Sequence, residues 1–256
     1  YELINEIIEK KLLDKLKSLL HDVIDIERVH RKMSLGTLHP FDFSNLDESY
    51  KVITNIFKCI NKTKLNEIFT DEIHSELLNF MEYYNSIFDV NNMERYNIND
   101  INGSFYQKEI HSEIDNLQNK ISTNKLLLEN IREKIETFID DKKKDYFNNS
   151  KEKSRTNMVQ LQFNTINKYH FYLTSRRCLQ LKQNFKKEKQ IIIDGNVIKF
   201  EDFEFKNQSR SSTTKITSEL LDKISDKIII NSELLRNKMK KLYVNDLLEI
   251  YKKYKF

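Results

Sequence analysis

The chain has 256 residues, of which 32% are charged and 39% are apolar, and its formal net charge is +4 at pH 7. Its three glycines cannot build a phosphate-binding loop or a dinucleotide fingerprint. The two cysteines lie far apart and the six histidines follow no metal-ligand or nucleophile spacing, which excludes a disulfide framework, a zinc site and a recognisable catalytic motif. No apolar run approaches the roughly 20 residues of a membrane-spanning helix. We therefore expect a protein of a reducing, intracellular compartment that makes no membrane contact and performs no catalysis in this segment.

Codon bias explains much of the lysine content. Ala and Trp are absent, and 34 lysines outnumber 9 arginines, as is typical of an AT-rich genome. A run of lysines is for that reason weak support for a nucleic-acid site. Because the sequence begins at Tyr1 rather than Met, we also expect it to be a piece of a longer chain.

Helical periodicity dominates the first hundred residues. We predict that Pro40 breaks the chain and that Ser44 is the N-cap of the helix that follows. The predicted helices cover residues 4–20, 24–33, 44–57 and 71–87, and the polar stretch 89–102 is predicted to be a loop.

A heptad pattern follows between Ile110 and Phe138. One set of positions at seven-residue spacing contains Ile110, Leu117, Asn124, Ile131 and Phe138, and the interleaved set contains Ile114, Ile121, Leu128 and Ile135. This pattern is typical of a coiled coil and would form a rod of roughly 40 Å. A single apolar stripe needs a partner in water.

The second heptad pattern begins about 80 residues later. With Thr217 as the predicted N-cap, apolar residues repeat by seven at Leu221, Ile228, Leu235 and Leu242, with Ile224 and Asn231 interleaved. The chain can run out along the first helix and return along the second. We therefore predict an antiparallel pair with Phe138 near Leu221 and Leu117 near Leu242.

Between the two helices the apolar period changes to that of strands. We predict strands over 159–163 and 203–205, where apolar and polar residues alternate, and over the aromatic stretch 169–173. We also predict a tight hairpin at Asp194-Gly195-Asn196, which lies between two apolar runs. The predicted fold is mainly α-helical: a helical bundle with a long antiparallel two-helix coiled-coil arm that carries a small antiparallel β-sheet at its tip.

Positive charge is concentrated on this predicted sheet. Residues 151–215 contain 14 Lys and Arg against 6 Asp and Glu, a net charge of +8, whereas the remainder sums to −4. Codon bias would spread lysine evenly, so the asymmetry favours an extended polyanion as ligand. The candidate residues for contacts to phosphates are Asn164, Asn167, Lys168, Arg176, Arg177, Lys206, Asn207, Arg210, Ser211 and Lys215.

Two other interpretations of this part of the chain stay open. The basic sheet can be a solvated linker domain. Alternatively, the chain can be a coiled-coil interaction or scaffold module whose tip binds another protein and that does not bind DNA. Tyr169, Phe171 and Tyr172 could stack on bases, but alternation sends neighbours to opposite faces, which favours a core role for part of this set. An enzyme is disfavoured because catalytic motifs are absent.

Four stretches, in order, resemble the MutS family of DNA mismatch repair proteins. The first stretch is similar to the family's lever segment and consists of Asp25-Ile26-Glu27-Arg28, followed by Lys32, Pro40, Asp42, Phe43 and Leu46. The second stretch resembles the start of the clamp arm and consists of Gly103 and the heptad helix after it. Phe163-Asn164 through Tyr169 to Thr174 resembles a clamp strand, and Ser209-Arg210-Ser211 with Ile216 to Leu220 resembles the clamp's basic segment and next helix start. Three residues depart from the family pattern: Phe41 stands where the family has Arg, Lys168 where it has Gly, and Ser218 where it has Pro.

The resemblance implies lever helices in residues 1–109, a clamp insertion in 110–216 and a returning helix in 217–256. It further implies that the segment encircles duplex DNA through backbone contacts without sequence preference and couples binding to an ATPase domain elsewhere in the parent protein. ATP and Mg²⁺ would belong to that domain, and a second MutS-like protomer and a MutL-like protein would be partners. Nucleus, organelle, bacterial cytoplasm and viral factory stay open as compartments.

Overall fold

The computed structural model describes residues 2–61, 63–139, 158–166, 168–185, 190–193, 195–207 and 212–254. Within these ranges the fold is mainly helical with a small antiparallel sheet, as predicted. The chain divides into two units, one made of Tyr1–Asn116 with Leu234–Phe256 and the other of Leu117–Glu233. Among the described residues, every helix is too short or too polar to cross a membrane.

The first unit is built from helices. Its elements are α1 (Glu2–Glu9), α2 (Leu13–His21), α3 (Ile26–Ser34), α4 (Pro40–Ile60), a 3₁₀ turn (Lys64–Glu67), α5 (Asp71–Ile87) and α6 (Val90–Met93). The long helix α7 (Ser112–Thr137) begins in this unit and continues into the second, and α9 (Glu219–Tyr254) runs from the second unit into the first.

The prediction of one helix over 4–20 is wrong, because the chain turns between α1 and α2. Lys11 has a left-handed backbone with φ 53°, which an L-residue cannot continue as a helix. The amides of Lys11 and Leu12 donate to the carbonyls of Ile8 and Ile7, both at 3.0 Å. This pair of bonds is the Schellman arrangement, which ends α1.

The prediction of Ser44 as an N-cap is also wrong, although a break between helices does precede Pro40. Pro40 is the first residue of α4, and Ser44 lies inside that helix rather than at its N-cap. Proline suits this position because the first helical N–H has no partner within the helix and the ring fixes φ near the helical value. His39, with extended backbone, precedes it as the cap residue.

Aromatic rings fill the core of the first unit. Phe43 packs edge-on against Tyr84 with ring centroids 5.1 Å apart, and Tyr243 of α9 is fully buried against Phe105. The buried carboxylate of Asp47 accepts a hydrogen bond of 2.5 Å from the Tyr84 hydroxyl and also pairs with Lys51. A buried charge with two partners is compatible with a tightly packed core.

In the first unit, α9 contacts the residues around the start of α7. Asp246 of α9 accepts a hydrogen bond of 2.5 Å from the Tyr106 hydroxyl and lies 3.0 Å from Nε2 of His111. About two turns earlier on α9, Lys238 forms an ion pair with Glu113 in the first turn of α7.

The apolar positions of both heptad patterns are largely buried. In α7 the buried positions are Ile114, Leu117, Ile121, Leu128, Ile131 and Ile135, and in α9 they include Leu221, Ile224, Ile228 and Leu235. Beyond Leu235 the buried stripe moves to Met239, Tyr243 and Leu247, and Leu242 is only half-buried. A straight helix has 3.6 residues per turn, so a strict seven-residue repeat drifts around it.

The second unit carries the sheet. Strands β1 (Gln160–Asn164), β2 (Lys168–Thr174), β5 (Glu204–Asn207) and β6 (Thr213–Thr217) form an antiparallel sheet in the order β1-β2-β6-β5, and β3 (Gln190–Ile193) pairs with β4 (Asn196–Lys199). The predicted hairpin is confirmed: Ile193 pairs with Asn196, and Gly195 between them has φ 78°. Helix α8 (Ser175–Phe185) and strand β6 were not predicted.

Hydrogen bonds attach the sheet to both long helices within the second unit. Glu136 in the last turns of α7 accepts a bond of 2.8 Å from the Val159 amide, just before β1. On α9, the Ser225 hydroxyl accepts a bond of 3.1 Å from the Tyr169 amide at the start of β2. The N-cap of α9 is Ser218, whose hydroxyl accepts from the Leu221 amide at 3.2 Å, whereas the predicted cap Thr217 ends β6.

Candidate nucleic-acid interface

The register of the four-stranded sheet separates its side chains into two faces. Cross-strand partners point to the same side, and successive residues alternate. One row contains Leu161, Phe171, Ile216 and Phe205, and the neighbouring row on the other side contains Gln160, Tyr172, Lys215 and Lys206. We call the second side, with Gln160, Tyr172, Lys206 and Lys215, the polar face.

Two lysines stand directly opposite each other on the polar face. Lys206 of β5 pairs in register with Lys215 of β6, and like charges in that position repel. Partial burial lowers the pKa of Lys215; Lys206 lowers it further, and Asp222 opposes both. In the part of the chain that the structure describes, Lys215 forms no ion pair, so its charge is available to an anion.

A concave pocket of about 310 Å³ lies beside this pair. Three lysines and three carboxylates line it together with uncharged residues; the lining is Ile166, Lys168, Glu204, Lys206, Lys215, Thr217, Ser218, Glu219 and Asp222. Glu204 Oε2 lies 2.8 Å from Lys206 Nζ, and Asp226 on α9 lies 2.7 Å from Lys168 Nζ. Hydrogen bonding to Lys206 lowers the pKa of Glu204.

A smaller concavity of about 100 Å³ extends the polar face toward α8. Its lining includes Gln160, Tyr172, Thr174 and Arg177. Because Gln160 and Tyr172 share a row with Lys215, Arg177 lies at the same face of the sheet as the lysines. Its side chain forms no ion pair among the described residues.

The structure brings together part of the predicted contact residues. Lys168, Arg177 and Lys215 lie at the polar face, and Asn164 pairs in register with Lys168. Arg176 is exposed on α8 but lines neither concavity, and Asn207 lies on the opposite face, where its Oδ1 accepts a hydrogen bond from Thr214. Asn167, Arg210 and Ser211 lie outside the described residues.

The three aromatics of β2 divide between the faces, as alternation predicts. Phe171 is fully buried, which confirms the core role expected for part of the set, and Tyr169 packs against Phe163 with centroids 4.8 Å apart. Tyr172 lies on the polar face beside Lys215. Sequence reasoning missed Glu204, although its spacing of two from Lys206 on one strand is the signal that places both on one side.

The chemistry that this face supports is the binding of anions. Its lysines and Arg177 can donate charge-assisted hydrogen bonds to phosphate oxygens, and its amide side chains can donate to the same atoms. Within the described ranges, no group of three or more His, Cys, Asp or Glu side chains is placed to hold a metal ion.

Comparison with known proteins agrees with the resemblance stated above. No family model matches the chain. Over an alignment 263 positions long, gaps included, that covers the whole chain, it is 28% identical to a protein of Acanthamoeba polyphaga mimivirus described as a DNA mismatch repair MutS homologue. The resemblance to the MutS family is confirmed. The chain spans 23% of the length of that MutS homologue.

One departure from the MutS pattern has a visible structural cost. Lys168, where the family has Gly, has a left-handed backbone with φ 54°. Glycine adopts this conformation without steric penalty, whereas a side chain resists it. In this chain Lys168 adopts that conformation, and its side chain pairs with Asp226.

Proposed function

We propose that this chain is the lever and clamp segment of a mismatch repair protein, and that the polar face of its sheet grips the backbone of duplex DNA without sequence preference. The observation that carries the proposal is the row of Lys206 and Lys215, in which Lys215 forms no ion pair among the described residues, with Arg177 and Lys168 beside it. Phosphates are the ligand that such a row attracts, and contacts to phosphates carry no sequence information.

The proposal includes an antiparallel arm formed by α7 and α9 that connects the clamp to the lever. Buried apolar stripes on both helices and the Glu113–Lys238 ion pair support it. In a complete protein, two such segments would close around the duplex, and an ATPase domain that binds ATP and Mg²⁺ would move the clamps through these stiff helices. A MutL-like protein is the further partner expected for this assembly.

A second candidate function is a protein interaction module that does not bind DNA. It is favoured by one observation in the second unit: Ile192 and Val197 face each other across the β3–β4 hairpin and are 65% and 54% exposed. Exposed apolar pairs of this kind suit a protein partner. Such binding would depend little on salt, which distinguishes it from phosphate binding.

The deciding experiment measures binding of the chain to a fluorescently labelled homoduplex by anisotropy over a series of salt concentrations. Replacing both Lys206 and Lys215 with Gln should lower affinity most at roughly 50 mM salt. It should reduce the slope of log K against log salt by at least about one, because Lys215 forms no ion pair in the described part of the chain, whereas Lys206 is also paired with Glu204. The matched control replaces Lys10 and Lys64 of the first unit, which changes the net charge equally.

Equal losses in both double variants would show that only net charge matters, and no loss in either would show that the polar face does not bind DNA. Either result would contradict the proposal. Duplexes of unrelated sequence should bind the unmodified chain with equal affinity, since phosphates are the only groups contacted.

A further inference from the structure

The cations of the polar face are already partly engaged by the chain's own carboxylates. Glu204 is bonded to Lys206 at 2.8 Å, and Asp226 is bonded to Lys168 at 2.7 Å. The pocket lining as a whole holds three lysines and three carboxylates. A phosphate that enters this pocket therefore meets no net positive charge until a carboxylate gives way.

Glu204 is the carboxylate best placed to compete with a phosphate. It lies two residues before Lys206 on β5, so the pleat of the strand holds both side chains on one face. Both side chains are about two-thirds exposed, which leaves the pair open to an incoming ligand. A carboxylate and a phosphodiester present the same kind of charged oxygen to an ammonium group.

The other acidic residues around the pocket are less direct competitors. Glu219 is paired with Lys223 on the next turn of α9 at 2.6 Å. Asp222 forms no ion pair with Lys215 among the described residues and acts on it only through its charge. Asp226 engages Lys168, whose position at the strand start is fixed by its left-handed backbone.

We propose that Glu204 is an internal competitor that occupies Lys206 and so limits the affinity of the polar face for DNA phosphates. The inference rests on the proposed function, and it identifies the residue that sets how firmly the face holds its ligand. DNA binding exchanges the Glu204–Lys206 ion pair for a phosphate–Lys206 contact. Because each Lys206–phosphate contact is weakened by this competition, the polar face dissociates readily from one phosphate and can bind the next one along the duplex.

The test is a gain of affinity, which a poorly folded variant cannot imitate. Glu204→Gln removes the competing charge and keeps the shape of the side chain. It should raise affinity for a homoduplex several-fold at low salt and steepen the slope of log K against log salt by about one, because Lys206 becomes a full phosphate contact.

The matched control is Glu201→Gln. Glu201 is an exposed carboxylate three residues away, paired with Lys199 at 3.6 Å, and it does not line the pocket. The substitution changes the net charge by the same amount, so any general electrostatic gain is common to both variants. The Glu204→Gln variant should bind the homoduplex more tightly than the Glu201→Gln variant and should show a steeper slope of log K against log salt.

Three outcomes separate this inference from the function on which it rests. If the Lys206 and Lys215 double variant loses affinity and Glu204→Gln exceeds Glu201→Gln, both stand. If the double variant loses affinity but the two Gln variants of the glutamates behave alike, the competitor role is wrong and the DNA-binding face stands. If the double variant binds like the unmodified chain, the proposed function fails and the competitor role fails with it.

Discussion

Lys168 combines backbone strain with an ion pair that offsets part of it. A non-glycine residue held in the left-handed region costs on the order of 1–2 kcal/mol, and its φ is 54°. The half-exposed pair with Asp226 returns at most about 1 kcal/mol. The resemblance implied a glycine at this position, but the strain became visible only with the backbone.

This balance predicts an unusual order of stability. Lys168→Ala should be the least stable variant, because it keeps the strained backbone and loses the ion pair. Lys168→Gly loses the same pair but relieves the strain, so it should exceed Lys168→Ala by about 1 kcal/mol in free energy of unfolding. Urea denaturation followed by circular dichroism measures both, and an alanine variant at least as stable as the glycine variant would contradict the argument.

His30 makes the first unit sensitive to acid. Burial lowers its pKa to about 4, and its Nε2 is hydrogen-bonded to the Tyr50 hydroxyl. An unfolded histidine has a pKa near 6.5, so between about pH 6.5 and pH 4 the unfolded state binds more protons than the folded state. Stability therefore falls as the pH is lowered through this window.

The expected loss is about 1–2 kcal/mol between pH 7 and pH 4, reduced from the full value because the side chain is partly exposed. His30→Gln keeps a hydrogen-bonding group next to Tyr50 and removes the titration. The variant should lose less stability than the unmodified chain over the same range, when both are compared by urea denaturation at each pH. If the free energy of unfolding of both proteins falls equally as the pH is lowered, His30 is not the cause of the acid sensitivity.

At the scale of elements, periodicity predicted the helices well where the chain follows local rules. The helix predicted over 71–87 matches α5, because its apolar spacing and the helix ends agree. The turn between α1 and α2 was missed, since it depends on Lys11 adopting a left-handed conformation that its residue type does not favour. Strand β6 was missed because Thr213–Thr217 has few apolar residues and is defined by pairing with β2 and β5.

The start of α9 depends on a single cap. The Ser218 hydroxyl bonds to the Leu221 amide, in place of the proline of the MutS pattern. Ser218→Ala should cost about 1 kcal/mol of unfolding free energy through the loss of this bond, whereas Ser218→Asn retains an acceptor at the cap and should cost much less. Thermal unfolding of the two variants tests the difference, and equal losses would place the stabilisation elsewhere.

At the scale of the whole molecule, charge distribution located the candidate site but could not define it. The net charge of +8 over 151–215 pointed to the part of the chain that forms the polar face. Which lysines share a surface depends on the order β1-β2-β6-β5, in which β6 inserts between β2 and β5. Such long-range pairing leaves no signal in the sequence, so the position of Lys206 opposite Lys215 could not be predicted, whereas the spacing of Glu204 and Lys206 on one strand could have placed both on one side.

The antiparallel arm stays a prediction, and paired deletions can test it. In the register that places Phe138 beside Leu221, residues 126–132 of α7 would lie opposite residues 227–233 of α9, and both segments belong to the second unit. Seven residues are two helical turns of the heptad pattern, so removing them preserves the phase of the apolar stripe. Removing either segment alone should leave the two helices unequal and destabilise the chain strongly.

Removing both segments should shorten the helices together and restore much of the loss. If the helices pack side by side, the double deletion will be less destabilising than the sum of the single deletions by more than about 1 kcal/mol. Denaturant unfolding followed by circular dichroism measures this coupling. Additive losses would mean that each apolar stripe packs against other parts of the chain, and a clamp driven through a stiff two-helix arm would then have no structural basis.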